Sequence, residues 1–150
     1  MISVIICIYL GNRRVIMETW RHLIGKANQS FEIGDWLDAE HKYTTAMTRI
    51  SILYKEYADS EQILMAWLAS YHNLSDLYGK LGRIDAQLSH IMVPYHQLKN
   101  RLMVQADHEP IYAAILYALN LSCKELYLYQ KQQLEHSGRI NLKYLNQVIH

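Results

Sequence analysis

The stretch NLSDLYGKLG at residues 73–82 decides the fold, and a related stretch, NLSCKELY, follows at residues 120–127. The two begin 47 residues apart, and both space their apolar residues as an amphipathic helix does. A helical phrase that recurs at such a distance is typical of proteins built from stacked helix pairs. We therefore expect an all-α array of antiparallel helices with a concave surface.

Few stretches interrupt the helical spacing after Met17, and each contains glycine, proline or small polar residues that end helices. Pro94 lies where the apolar spacing continues on both sides, so we expect it to kink a helix rather than break it. No strand is predicted. The breaks predict helices over residues 17–33, 35–57, 60–82, 84–102 and 110–135, and a short terminal helix over residues 139–149 after Ser137-Gly138.

Residues 1–16 form a leader with an apolar run, residues 2–10, followed by Arg13 and Arg14. A secretory signal would carry its basic residues before the apolar run, and a bilayer-spanning helix needs about 20 apolar residues. Three interpretations remain open for this leader. It is a strand or helix that caps the array, a disordered leader or upstream extension of a chain that properly starts at Met17, or a membrane-surface anchor.

The length of the chain indicates the number of domains, and its charge indicates which partners it can bind. A chain of 150 residues that is 51% hydrophobic suits one domain with a real core. The net charge of +1 comes from scattered basic residues, so no footprint for a polyanion is present and no nucleic-acid partner is expected. We expect no membrane partner either.

The two cysteines, Cys7 and Cys123, lie far apart and have no CxxC spacing. This usage argues against a disulfide framework and a zinc site, and it fits a reducing compartment. The sequence therefore predicts a cytoplasmic protein.

The turn Gly34-Asp35-Trp36, followed by Ala39 and Tyr43, resembles the turn and second helix of a tetratricopeptide repeat (TPR). The stretch at residues 73–82 is similar to the long repeats of kinesin light chains. This TPR-like resemblance covers roughly residues 20–133. It implies helix pairs stacked as a short right-handed superhelix over residues 17–138, with residues 139–150 as a C-terminal capping helix.

The chain departs from the TPR pattern in its spacing and in its third unit. Gly34 and Gly82 lie 48 residues apart, whereas the usual repeat has 34. Tyr129 stands where a third turn glycine belongs, so the third repeat is degenerate and suits a cap.

In the TPR family, peptides bind on the inner side of the first helix of each pair. Ile24 stands where a carboxylate clamp has a lysine, so the resemblance favours recognition of a peptide backbone by amide side chains. The alternative is that the asparagines bridge neighbouring helices inside the array. The partner-binding groove that the resemblance implies contains Arg21, Asn28, His72, Asn73, Asp76 and Asn120.

The eight histidines show neither an HExxH motif nor metal-ligand spacing, and no Gly-rich phosphate loop or GxSxG motif is present. His72 and Asp76 share a helical face and suit a hydrogen-bonded pair with a structural or groove-lining role. We expect no enzyme activity, no cofactor and no metal site.

The leading hypothesis is therefore a protein-protein interaction module, an adaptor or chaperone-like protein that binds a peptide segment of a partner. The alternative is a structural protein that self-associates through the array edge or the fifth helix, for example as a homodimer, and fills the groove with its own segments.

Overall fold

The computed structural model describes the backbone of residues 2–148 and the side chains of residues 13–138. All regular structure in this part is helical, which confirms the all-α prediction. Within it, no helix has a stretch long and apolar enough to cross a bilayer. The helices are α1 (Ile2–Glu32), α2 (Trp36–Glu56), α3 (Glu61–Lys80), α4 (Ile84–Val104) and α5 (Pro110–Val148).

Each helix packs against the next one in the chain, and α3 also contacts α1 and α5. Because the connections are short, successive helices are antiparallel. Helices α1, α3 and α5 therefore form one layer, and α2 and α4 form a second layer. This packing order is compatible with a helical repeat.

Glycine ends both α1 and α3, as the sequence predicts. Gly34 has a φ of 80° and Gly82 a φ of 69°, in the left-handed region that L side chains rarely adopt. Each turn makes the two backbone hydrogen bonds of a Schellman motif, such as Arg83 N–H to the Tyr78 carbonyl at 2.9 Å. These turns reverse the chain between the two layers.

We expect Gly82→Ala to lower the free energy of unfolding by about 1–2 kcal/mol, because alanine is strained at this φ. Gly25 is the matched control, since it lies inside α1 and an added Cβ would meet no atom within 4 Å. Gly25→Ala is expected to stabilise the protein by about 0.5–1 kcal/mol. Denaturant unfolding measures both, and a shift of the same sign in both variants would contradict this account.

Helix starts also follow the sequence. The side chains of Asp35 and Ser60 accept hydrogen bonds from backbone N–H groups three residues later and cap α2 and α3. Pro110 occupies the first position of α5, where its missing N–H costs nothing. Pro94 is buried inside α4, which continues past it, as expected.

The structure differs from the prediction at the leader, because α1 begins at Ile2 rather than at Met17. The end of the leader also contacts the array. Arg13 donates a hydrogen bond of 2.7 Å to Ser60 Oγ and lies over the ring of Tyr57. The side chains of residues 1–12 lie outside the described part of the chain.

The second difference is at Ser137-Gly138, where the predicted break is absent and α5 continues to Val148. A separate terminal helix is therefore not formed. Glycine in a helix interior costs only about 1 kcal/mol, and no proline follows to force an end. The side chains of the predicted cap, residues 139–150, lie outside the described part of the chain.

The core has two parts. Trp67 of α3 is the centre of the larger one, where its ring stacks on Tyr54 with the centroids 4.5 Å apart. In the smaller one, Ala27 of α1 and Ala39 of α2 are completely buried, so the two backbones approach closely. Tyr43 of α2 packs in this second part as well.

Candidate functional site

A groove of about 750 Å³ opens between the second half of α3 and the middle of α5. The first turns of α4 form its floor, and Phe31 from the end of α1 closes one side. We call it the α3–α5 groove. Its lining residues are Phe31, Ser75, Asp76, Gly79, Lys80, Ile84, Gln87, Ile91, Glu125, Leu128, Tyr129, Gln132, Gln133 and His136.

The floor is fixed by close contact between α3 and α4. Ser75 Oγ donates a hydrogen bond of 3.2 Å to the backbone carbonyl of Gln87. The Gln87 side chain packs against α3 at Gly79, where an added Cβ would lie 2.7 Å from Gln87 Nε2. Small residues at one end of α3 therefore hold α4 close beneath the groove.

Two carboxylates, Asp76 of α3 and Glu125 of α5, lie in this groove. Desolvation raises the pKa of Asp76, and the charge of Lys80 partly offsets that effect. Desolvation also raises the pKa of Glu125, with a further increase from the negative charge of Asp76. Both groups would be stabilised as anions by a positively charged ligand between them.

The same groove exposes apolar side chains. Ile84 is 42% exposed and Leu128 is 40% exposed, and both line the groove beside buried Ile91. Burial of such surface by a ligand is favourable, and the carboxylates supply orientation. The arrangement can therefore bind a ligand with an apolar part and a cationic part.

Of the six residues predicted for the groove, Asp76 lines the α3–α5 groove. Arg21 lines a smaller groove of about 390 Å³ at the other end of α3, together with Arg13, Arg14 and Gln62. Arg21 and Asp76, which the sequence assigned to one groove, therefore line two different grooves.

Asn28 has a partner inside the array, because its Oδ1 accepts a hydrogen bond of 2.6 Å from the Tyr43 hydroxyl. This contact joins α1 to α2. Burial raises the pKa of Tyr43, and the charges of Asp76 and Glu32 raise it further. Asn28 thus bridges neighbouring helices, which is the alternative role that the sequence left open.

Three other predicted residues are not among those that line the α3–α5 groove. His72 and Asn73 are half-buried on α3, close to Asp76 along the helix. His72 Nε2 is buried without a hydrogen-bond partner in the described residues, so it is not paired with Asp76 through this atom. Asn120 is exposed on α5. Of the six predicted residues, Asp76 is therefore the one that lines this groove.

Sequence reasoning missed Glu125, Gln132 and Gln133, because it treated the third unit as a cap. The repeated phrase contains a usable signal. Its second half, Leu77-Tyr78 and Leu126-Tyr127, recurs after 49 residues rather than 47, and the same offset relates Asp76 to Glu125. This offset in the repeated phrase is the sequence signal that pairs Glu125 with Asp76.

The described residues offer few side chains arranged as metal ligands. Among them, no group of three or more His, Cys, Asp or Glu side chains has an arrangement that would hold a metal ion. The groove has two carboxylates and a lysine instead, which suits binding of an organic cation rather than coordination of a metal.

Comparison with known proteins gives one match. No curated protein and no solved structure matches the chain. A family described as "Protein of unknown function (DUF2753)" matches residues 18–148, which include α2 to α5 and the second half of α1. The chain therefore belongs to the DUF2753 family.

Proposed function

We propose that the protein is a protein-protein interaction module that binds a segment of a partner in the α3–α5 groove. The observation that carries this proposal is the pair Asp76 and Glu125, two carboxylates that line one groove beside the exposed apolar surface of Ile84 and Leu128. The proposed ligand segment places a lysine or arginine side chain between the carboxylates and an apolar side chain on that surface.

The proposal refines the TPR-like interpretation rather than repeating it. The two-layer packing supports a TPR-like array, in which α1, α3 and α5 take the place of the first helices of each pair. The asparagines predicted to hold the peptide backbone do not line the α3–α5 groove, so in this proposal charge complementarity replaces them as the main determinant.

Selection from a displayed random peptide library, with the intact protein as the target, tests the proposal. We expect enriched peptides to contain a lysine or arginine close to a bulky apolar residue. The double variant Asp76→Asn, Glu125→Gln is expected to weaken binding of a selected peptide by about 10-fold, because both negative charges that face the basic side chain are lost. Fluorescence anisotropy measures the affinity.

Glu56→Gln serves as the control, since it removes an exposed carboxylate at the end of α2, outside the groove. This variant should bind the selected peptide as the wild-type protein does. Enrichment without any preference for basic residues, or equal binding by the double variant, would rule the proposed groove out.

A further inference from the structure

The smaller groove brings together three arginine side chains of α1 beside the first turn of α3. We call it the arginine groove. Its volume of about 390 Å³ lies within the range of about 300–1,000 Å³ that is usual for small-molecule sites. Its lining residues are Arg13, Arg14, Met17, Glu18, Arg21 and Gln62.

The positive charge of this groove exceeds its negative charge. Glu18 is the carboxylate among the lining residues. Its Oε1 accepts a hydrogen bond of 3.1 Å from Arg14 Nε, so the charges of this pair offset each other. The charges of Arg13 and Arg21 are therefore left without a carboxylate inside the groove.

Neutral groups hold Arg13 in place. Its guanidinium donates a hydrogen bond of 2.7 Å to Ser60 Oγ and lies 5.4 Å from the centre of the Tyr57 ring. Neither contact neutralises its charge. A guanidinium has five N–H donors, and the hydrogen bond to Ser60 uses one of them. Arg13 is thus positioned and still able to bind an anion.

Arg21 supplies the second guanidinium. Its side chain is exposed and has no hydrogen-bond or ion-pair partner among the described residues. Met17, which is 3% exposed, lies between Arg13 and Arg21 on the same helical face, because the three residues are spaced by four. Helical side chains lean toward the N-terminus of their helix, which lets the long side chain of Arg21 reach over Met17 toward Arg13.

We propose that the arginine groove binds a small molecule through a phosphate monoester group, with Arg13 and Arg21 donating hydrogen bonds to the phosphate oxygens. A phosphate monoester carries a charge of about −1.5 to −2 at pH 7 and three strong acceptor oxygens. It therefore matches two guanidinium groups, whereas a carboxylate offers a single charge. The N–H donors of one guanidinium also fit two phosphate oxygens at once.

Isothermal titration calorimetry of the full chain with phenyl phosphate tests the site. Phenyl sulfate is the matched probe, since it has nearly the same shape and a single negative charge. We expect phenyl phosphate to bind, and phenyl sulfate to bind about 5-fold more weakly, because the second charge is missing.

Variants test the two arginines. Arg21→Gln and Arg13→Gln are each expected to weaken binding of phenyl phosphate by about 5-fold, because one charged contact is lost. Arg21 has no partner among the described residues, so weaker binding by Arg21→Gln would not come from a disturbed fold. Arg49→Gln is the control, since it removes the same charge from an exposed position on α2 outside the groove, and it should bind like the wild type.

Vesicles of phosphatidylcholine and phosphatidic acid separate a small ligand from a membrane surface, because the phosphatidic acid headgroup is also a phosphate monoester. We expect phenyl phosphate to bind in the absence of vesicles. The proposal would be overturned by a lack of phenyl phosphate binding, by equal binding of phenyl sulfate, by an Arg21→Gln variant that binds like Arg49→Gln, or by binding confined to the vesicles.

Discussion

Replacement of Trp67 by alanine is expected to lower the free energy of unfolding by about 3–5 kcal/mol, the cost of deleting a large buried aromatic ring. Trp67 is only 2% exposed. Its ring stacks on Tyr54 of α2 and meets Tyr71 of α3 edge-on, with centroids 5.1 Å apart in the second pair. The substitution therefore leaves a cavity between the two layers and removes two aromatic contacts.

The loss should appear in urea unfolding as a lower midpoint with a similar slope. Tyr117→Ala is the control, because it truncates an aromatic residue that is largely exposed and should change stability by less than about 0.5 kcal/mol. If the two variants were equally stable, Trp67 would not be the centre of the core.

Acid is expected to destabilise the protein through His72. Burial lowers the pKa of His72 from 6.5 to about 4, so the folded state keeps this side chain neutral while the unfolded state takes up a proton. The unfolded state binds more protons between these two pH values, so stability falls as pH decreases through this window. From about pH 7.5 to about pH 5, the expected loss is about 2 kcal/mol.

Asp76 and Glu125 act in the opposite direction. Their pKa values are raised in the folded state, so protonation of these carboxylates favours folding as the pH falls below the raised values. The contribution of His72 must therefore be measured as a difference between proteins that retain both carboxylates.

The difference is obtained by unfolding the wild type and His72→Gln at both pH values. We expect His72→Gln to lose about 2 kcal/mol less than the wild type on acidification. His96→Gln, which changes an exposed histidine on α4, should retain the acid sensitivity of the wild type. Equal acid sensitivity in all three proteins would show that His72 is not buried in its neutral form.

Much of the fold could be predicted because local chemistry specifies it. The left-handed backbone at residues 34 and 82 favours glycine, which both positions have. Ser60 suits the N-cap of α3, and Pro110 suits the first position of α5. The two boundaries that were missed lack such a requirement. The apolar leader needs only to continue the helix of α1, and Gly138 is tolerated inside α5 because its cost is small.

The site was less predictable, because helical spacing gives the face of a residue but not the neighbour opposite it. Asp76, which the sequence assigned to a partner-binding groove, lines the α3–α5 groove, whereas the position of Glu125 depends on how α5 aligns with α3. Asn73 and Asn120 share a sequence context, and neither lines this groove. A repeated phrase thus predicts a helix but not which of its residues line a groove.

The central claim is that a partner segment binds in the α3–α5 groove, and amide chemical-shift mapping with a selected peptide tests it most directly. We predict that the largest shifts fall on the groove segments, residues 75–80 and residues 125–136, and that they disappear in the Asp76→Asn, Glu125→Gln variant. Shifts confined to α2, or to residues 110–120 in the first turns of α5, would contradict the claim.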